Sequence, residues 1–155
     1  TGLPYPPHSV PRAELDAAVE RIKARIDAEA PWHRRSGMKA YLDELLAEID
    51  TGEELDAVVA RPFAIVDAWA RKHGIAPDRI LLGEFGMIRQ EYGGHYIVPA
   101  AVRAAYIRDM IEHAERYGFA WAIWGYGGAF GVVEAFEEQR AEPDVLEMVR
   151  SLPPR

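Results

Sequence analysis

With 155 residues the chain has the length of one domain and, once folded, would bury roughly 70% of its extended surface. Apolar residues at 49% and charged residues at 28% exclude a disordered or membrane-spanning composition, and no apolar run approaches the span of a bilayer. A net charge of −7 without a basic cluster argues against nucleic acid as a partner, and the absence of cysteine removes disulfides and thiolate metal sites while leaving the redox compartment open.

The segment from Thr1 to Pro11 holds Pro4, Pro6, Pro7 and Pro11, a density that forbids helix and predicts an extended connector. Leu15, Val19, Ile22 and Ile26 recur at helical spacing from Pro11 to about Glu29, with Pro11 suited to the first turn. Pro31 to Gly37 reads as a break, after which Tyr41, Leu42, Leu45, Leu46 and Ile49 trace a second helix that stops near Thr51-Gly52. Thr51 followed by Glu54 is a capping box, and Leu55, Val58 and Val59 begin a third helical segment that Pro62 should kink or divide before it ends at His73-Gly74.

The run from Arg79 to Gly83 carries Ile80, Leu81 and Leu82 without alternation, which predicts a strand buried on both faces, as in parallel sheets. Glu84 sits where that strand emerges, between Gly83 and Gly86, whose missing side chains leave it room. An ionised carboxylate beside apolar residues is either paired, with an Arg or a neighbouring helix terminus, or kept for chemistry. A polar loop, Met87 to Val98, follows with His95 and Tyr96, candidates for a substrate role or simply solvated loop residues. Pro99 opens a helix with Val102, Tyr106, Met110 and Ala114 as its apolar or aromatic positions, ending at Tyr117-Gly118. A second strand, Phe119 to Trp124, leads into a Gly-rich run to Gly131, and a last helix spans about Pro143 to Ser151.

Strand, helix and strand from Arg79 to Trp124 form a βαβ unit with parallel strands and a right-handed crossover. Two apolar parallel strands need neighbours, and with no further strand and no initiator Met the chain is expected to be a single incomplete domain over residues 1–155, the end of a larger sheet or barrel. The Gly-rich run misses the dinucleotide fingerprint, because its glycines at 125, 127 and 131 are one residue too long and no helix starts there. The histidines show no His-Glu-x-x-His spacing and the three serines no Gly-x-Ser-x-Gly elbow, so neither metal nor cofactor is expected, and His73 and His113 read as ordinary helix residues. Trp121 and Trp124 lie three apart on a strand and so point to opposite faces. Trp124, last on its strand, would share a sheet edge with Glu84, and an indole beside a carboxylate suits a sugar ring, though a tryptophan covering the sheet end fits the spacing equally well.

Ile80-Leu81-Leu82-Gly83-Glu84-Phe85-Gly86, then Val102-Arg103-x-x-Tyr106, then the stretch from Phe119 through Trp121, Trp124 and Tyr126 to Gly131, resembles the last two βα units of glycoside hydrolase family 5, the cellulase family. The resemblance implies an α/β fold, the C-terminal part of a (β/α)8 TIM barrel with two parallel strands and about five helices here, and a site at the C-terminal ends of the strands. It implies a retaining hydrolase of β-linked polysaccharide, foremost an endo-β-1,4-glucanase, with Glu84 as nucleophile and Trp124 lining the subsite of the cleaved sugar. His95 and Tyr96 join Trp124 as substrate-binding candidates. The family's acid/base lies in an Asn-Glu-Pro motif, and this chain has none; Glu142-Pro143 opens the last helix and does not qualify. The implied partners are therefore a polysaccharide or oligosaccharide and the missing N-terminal part of the barrel, with neither nucleic acid nor membrane. The compartment stays open, secretion or the periplasm being compatible with such a substrate. The competing reading is a non-catalytic helical and βα interaction fragment with no activity of its own.

Overall fold

The computed structural model describes residues 2–89, 97–132 and 143–152, and its contacts separate two compact units, Thr1–Val58 and Val59–Arg155.

In the first unit Pro11 stands at the N-cap of α1, Arg12–Glu29, and its carbonyl accepts from the Glu14 and Leu15 N–H groups at 2.9 and 3.2 Å. The second helix does not wait for Tyr41. Helix α2 spans Trp32–Glu48 and takes in the stretch that reads as a break. Pro31 again supplies the N-cap, the Arg34 N–H donates to its carbonyl at 2.9 Å, and the Arg35 Nε donates back to the Ala30 carbonyl at 2.9 Å. The mid-helix Gly37 costs about 1 kcal/mol in propensity, too little to stop a turn already started. Leu15 and Val19 of α1 bury against Leu42 of α2, edged by Leu3, Val10, Ile22 and Leu46. Around this seam run Lys23–Asp43 at 2.8 Å, Lys39–Asp27 at 2.6 Å and Arg12–Asp50 at 3.0 Å. Hydrogen bonding to Asp16 and Asp43 respectively holds the Arg12 and Lys23 pKa values above their ordinary range, but such exposed pairs specify the hairpin more than they stabilise it.

The capping box forms as read: the Thr51 N–H donates to Glu54 Oε2 at 2.9 Å and the Glu54 N–H to Thr51 Oγ1 at 3.1 Å. It opens α3, Gly52–His73, which runs through Pro62 undivided because Pro62 is exposed and water can serve the carbonyl it leaves unbonded. That carbonyl belongs to Val58, where the first unit ends.

The second unit contains β1, Leu81–Phe85, α4, Ala100–Arg116, β2, Ala120–Ile123, and α5, Pro143–Ser151. Both strands are shorter at their starts than the apolar runs suggest, and β1 reaches past Glu84 to Phe85. They pair in parallel. Helix α4 ends where Gly118, at φ +74°, turns the chain, so that the Phe119 N–H reaches the Ala114 carbonyl at 2.8 Å and the next residue enters β2. Ala104, Ile107 and Ile111 of α4 pack with Phe85 and with Val145 and Met148 of α5, and Leu82, Trp121 and Ile123 border the cluster. A second cluster joins Phe63 of α3 to Ala114 and Phe119, and the Phe63 ring stacks on His113 at 5.6 Å and Tyr117 at 6.1 Å.

The buried arc of α4 is therefore wider than its expected stripe and centred one position away, on Ile107 and Ile111, because the helix meets the sheet, α5 and Phe63 together. His113, 3% exposed, belongs to that core rather than to an ordinary helix surface. Burial on both sheet faces is not seen among the described residues: Leu81 is 63% exposed and Ala122 is also open.

Ile111 is fully buried (0%), so Ile111→Ala should cost about 2 to 5 kcal/mol through lost transfer energy and a residual cavity. The exposed Ile65→Ala should stay within about 0.5 kcal/mol. Denaturant unfolding of the two variants checks the contrast.

Candidate active site

The placement of Glu84 follows from an irregularity in β1. Leu82 pairs with Trp121 and Phe85 with Ile123, so β1 advances three residues where β2 advances two. The surplus falls at Gly83-Glu84. A bulge of this kind bends a strand and re-aims its side chains. Leu82 and Phe85, which regular alternation would send to opposite faces, both meet the α4 cluster, and Glu84 is left exposed. Among the described residues no hydrogen bond or ion pair engages its carboxylate, so exposure to water is what keeps the charge inexpensive.

Trp124 follows β2 directly. Its N–H donates to the Phe85 carbonyl at 2.8 Å, extending the parallel ladder one residue beyond the strand and fixing Trp124 at the edge where Glu84 stands. Of the two tryptophans, Trp121 is the core one, half-buried with its Nε1 donating to Glu115 Oε1 at 3.1 Å, while Trp124 is 55% exposed. The Trp124–Gly125 peptide is cis. A Cβ on Gly86 would lie 2.3 Å from the Trp124 carbonyl oxygen, an impossible approach. Gly86 is thus required by the carbonyl of the neighbouring strand rather than by the carboxylate two residues before it, and a Cβ on Gly83 would meet only the Leu81 side chain at 3.6 Å.

Beyond Trp124 the Gly-rich loop carries Tyr126 and Phe130, both exposed, and it is tied to the β1 side by Arg89. The Arg89 N–H donates to the Ala129 carbonyl at 2.7 Å and its Nη2 to the Gly131 carbonyl at 2.8 Å. Sequence reading passes over Arg89. The available signal is an arginine in the loop after the candidate carboxylate, facing a Gly-rich run whose carbonyls have no strand to pair with. His95 and Tyr96 lie outside the described residues.

Glu84 and Trp124 are both exposed at this edge. A cavity of about 410 Å³ lies instead between α1 and α2, lined in part by Arg12, Asp16, Lys23 and Asp43, and another of about 450 Å³ between α4 and α5; neither includes Glu84 or Trp124. Both are lined by helix residues alone or with the chain next to them, and neither lies at the strand edge. Among the described residues no group of His, Cys, Asp and Glu is placed to hold a metal ion, and no helix is long and apolar enough to cross a membrane.

No protein-family model and no curated protein sequence matches the chain. Solved structures do match. The chain superposes on the clostridial cellulose synthase subunit Z of Clostridioides difficile with a TM-score of 0.51 and 28% identity, over 64% of this chain and 29% of that one. The chain has the fold of part of a glycoside hydrolase family 5-like catalytic domain. An endoglucanase gives a TM-score of 0.52 at 22% identity, covering 66% of this chain and 29% of that one. A hyperthermophilic endo-β-1,4-glucanase crystallised with substrate gives 0.50 at 23% identity, covering 65% and 29%. Among the described residues the helices and the parallel pair have the arrangement of part of an α/β barrel, and the chain spans less than a third of these relatives' length.

Gly86→Ala should cost about 1 to 3 kcal/mol by forcing the strand end away from the Trp124 carbonyl, and Gly83→Ala clearly less. Parallel unfolding curves measure this; equal losses would mean that the close approach imposes no constraint.

Proposed function

We propose that this chain supplies the nucleophile side of a retaining glycoside hydrolase acting on β-linked polysaccharide, foremost an endo-β-1,4-glucanase. The observation that carries the reading is the joining of an exposed carboxylate and an exposed indole at the C-terminal edge of one parallel pair, through the Trp124 N–H to Phe85 carbonyl bond. In the barrel to which this fold corresponds, that edge is where active sites are built. The similarity to endoglucanases supports the substrate class, and the 28% identity to the cellulose synthase subunit Z is compatible with it.

In the proposed reaction the sugar ring lies on Trp124 and a Glu84 oxygen attacks the anomeric carbon as the glycosidic C–O bond breaks. The leaving oxygen takes a proton from a second carboxylic acid, which later removes a proton from the water that releases the sugar with its original configuration. Retention asks for the two carboxyls to stand roughly 5 to 5.5 Å apart. No Asn-Glu-Pro motif is present to provide the second, so we place the acid/base, and the remainder of the barrel, outside this chain. The open face of the two strands, with Leu81 and Ala122 exposed, is the side on which further barrel strands would pack. Nothing in this scheme calls for a metal or cofactor. His95 and Tyr96, in the loop after Glu84, complete the proposed contacts to substrate.

Glu84→Gln in the intact enzyme should retain oligosaccharide binding and lose turnover by several orders of magnitude, because a neutral amide cannot replace the anionic nucleophile. Titration calorimetry and turnover on a β-1,4-glucan measure the two properties. Retained turnover would assign the nucleophile elsewhere, and an inactive wild-type enzyme would favour the interaction-fragment reading.

A further inference from the structure

The Gly-rich loop that carries Tyr126 and Phe130 lies beyond the end of β2, and among the described residues no strand pairs with it. Within it the Gly131 N–H donates to the Gly128 carbonyl at 3.1 Å and the Val132 N–H to the Gly125 carbonyl at 3.3 Å. These bonds close the loop on itself. The carbonyls of Gly128, Ala129 and Gly131 are instead met from the β1 side by one residue, Arg89. Its N–H donates to Ala129 at 2.7 Å, its Nη2 to Gly131 at 2.8 Å, and its Nη1 stands 3.5 Å from the Gly128 carbonyl, at the outer limit of a bond.

Arg89 is itself anchored. Its carbonyl accepts from the Val98 N–H at 2.8 Å, Val98 is buried, and the Val98 carbonyl accepts from the guanidinium of Arg103, a residue of α4 only 6% exposed. A continuous series of bonds therefore runs from the helix behind the sheet, through Val98 and Arg89, to the loop in front of it. The guanidinium suits this task because its planar fork reaches two carbonyls at once, which the single ammonium of lysine does less well.

We propose that Arg89 is a positioning residue of the glycosidase site: it holds the loop from Gly125 to Gly131, and through it the indole of Trp124 and the ring of Tyr126, at the height where a sugar bound over Glu84 is stacked. The inference rests on the reading of Glu84 and Trp124 given above and extends it to how the aromatic wall is kept in place. Arg89 does not touch the reacting atoms, so its effect is on binding and orientation.

The test is a double-mutant cycle between Arg89 and Trp124 in the intact enzyme, with Arg89→Lys as the variant that keeps charge and loses the fork. Arg89→Ala should raise KM for a cello-oligosaccharide about tenfold with little change in kcat, the size expected for one lost stacking contact. Arg89→Lys should fall between it and the wild type. Added to Trp124→Ala, Arg89→Ala should cost less than it does alone, because one of the two rings it positions is already gone. Hydrogen exchange read on the same variants should rise in the peptide covering Gly125 to Gly131 and stay unchanged in α4. Full additivity, an unchanged KM, or exchange that rises throughout the second unit would overturn the proposal. Should the wild type hydrolyse no β-glucan, the glycosidase reading and the Arg89 role fail together. Inactivity confined to variants, with exchange unchanged in the loop, would fail the Arg89 role alone.

Discussion

The second unit depends on a single point of contact between strand ends, where Trp124 meets the residues that follow Glu84. Its N–H is bonded to the Phe85 carbonyl and its own carbonyl occupies the space a side chain at position 86 would need. A ladder bond of this kind contributes only about 1 kcal/mol net. Its importance is geometric. It makes the carboxylate strand and the aromatic strand end at the same level, and the bulge at Gly83-Glu84 then turns the carboxylate out of the core while Leu82 and Phe85 stay in it.

What holds this contact is on the other face of the sheet. Ile107 and Ile111 of α4 press on Phe85, and α5 closes the cluster with Val145 and Met148. One face is thus a dry core and the other, with Leu81, Ala122, Glu84 and Trp124, is open. Parallel strands are ordinarily covered on both sides, and the exposure of Leu81 and Ala122 is what the proposal of further barrel strands rests on. The helical hairpin of the first unit has a separate core around Leu15, Val19 and Leu42, and its ion pairs are exposed or partly exposed ones.

Much of this was legible in the sequence because it rests on local chemistry. The Thr51-Glu54 box, the Gly-terminated ends of α3 and α4 and the uninterrupted apolar runs each encode one element through nearby residues. What escaped was one local ambiguity and several non-local constraints. The start of α2 depends on Pro31 acting as a cap rather than a break, and Pro62 is tolerated because of the face on which it lies. The wide buried arc of α4 depends on Phe63, far away in sequence. The requirement at Gly86 comes from a carbonyl on another strand, and the role of Arg89 from carbonyls about forty residues on, neither of which periodicity can reveal. The pairing of Glu84 with Trp124 was legible only because parallel strands share an edge. The alternative of a partnered structural Glu84 gains no contact among the described residues.

In the proposed mechanism Glu84 forms a covalent bond to the sugar. Reacting the intact enzyme with a 2-deoxy-2-fluoro β-glycoside bearing an activated leaving group, then sequencing the labelled peptide by mass spectrometry, tests it most directly. One glycosyl label is expected, on Glu84. A label on a different carboxylate, or none while the substrate is cleaved with inversion at the anomeric carbon, would contradict that mechanism.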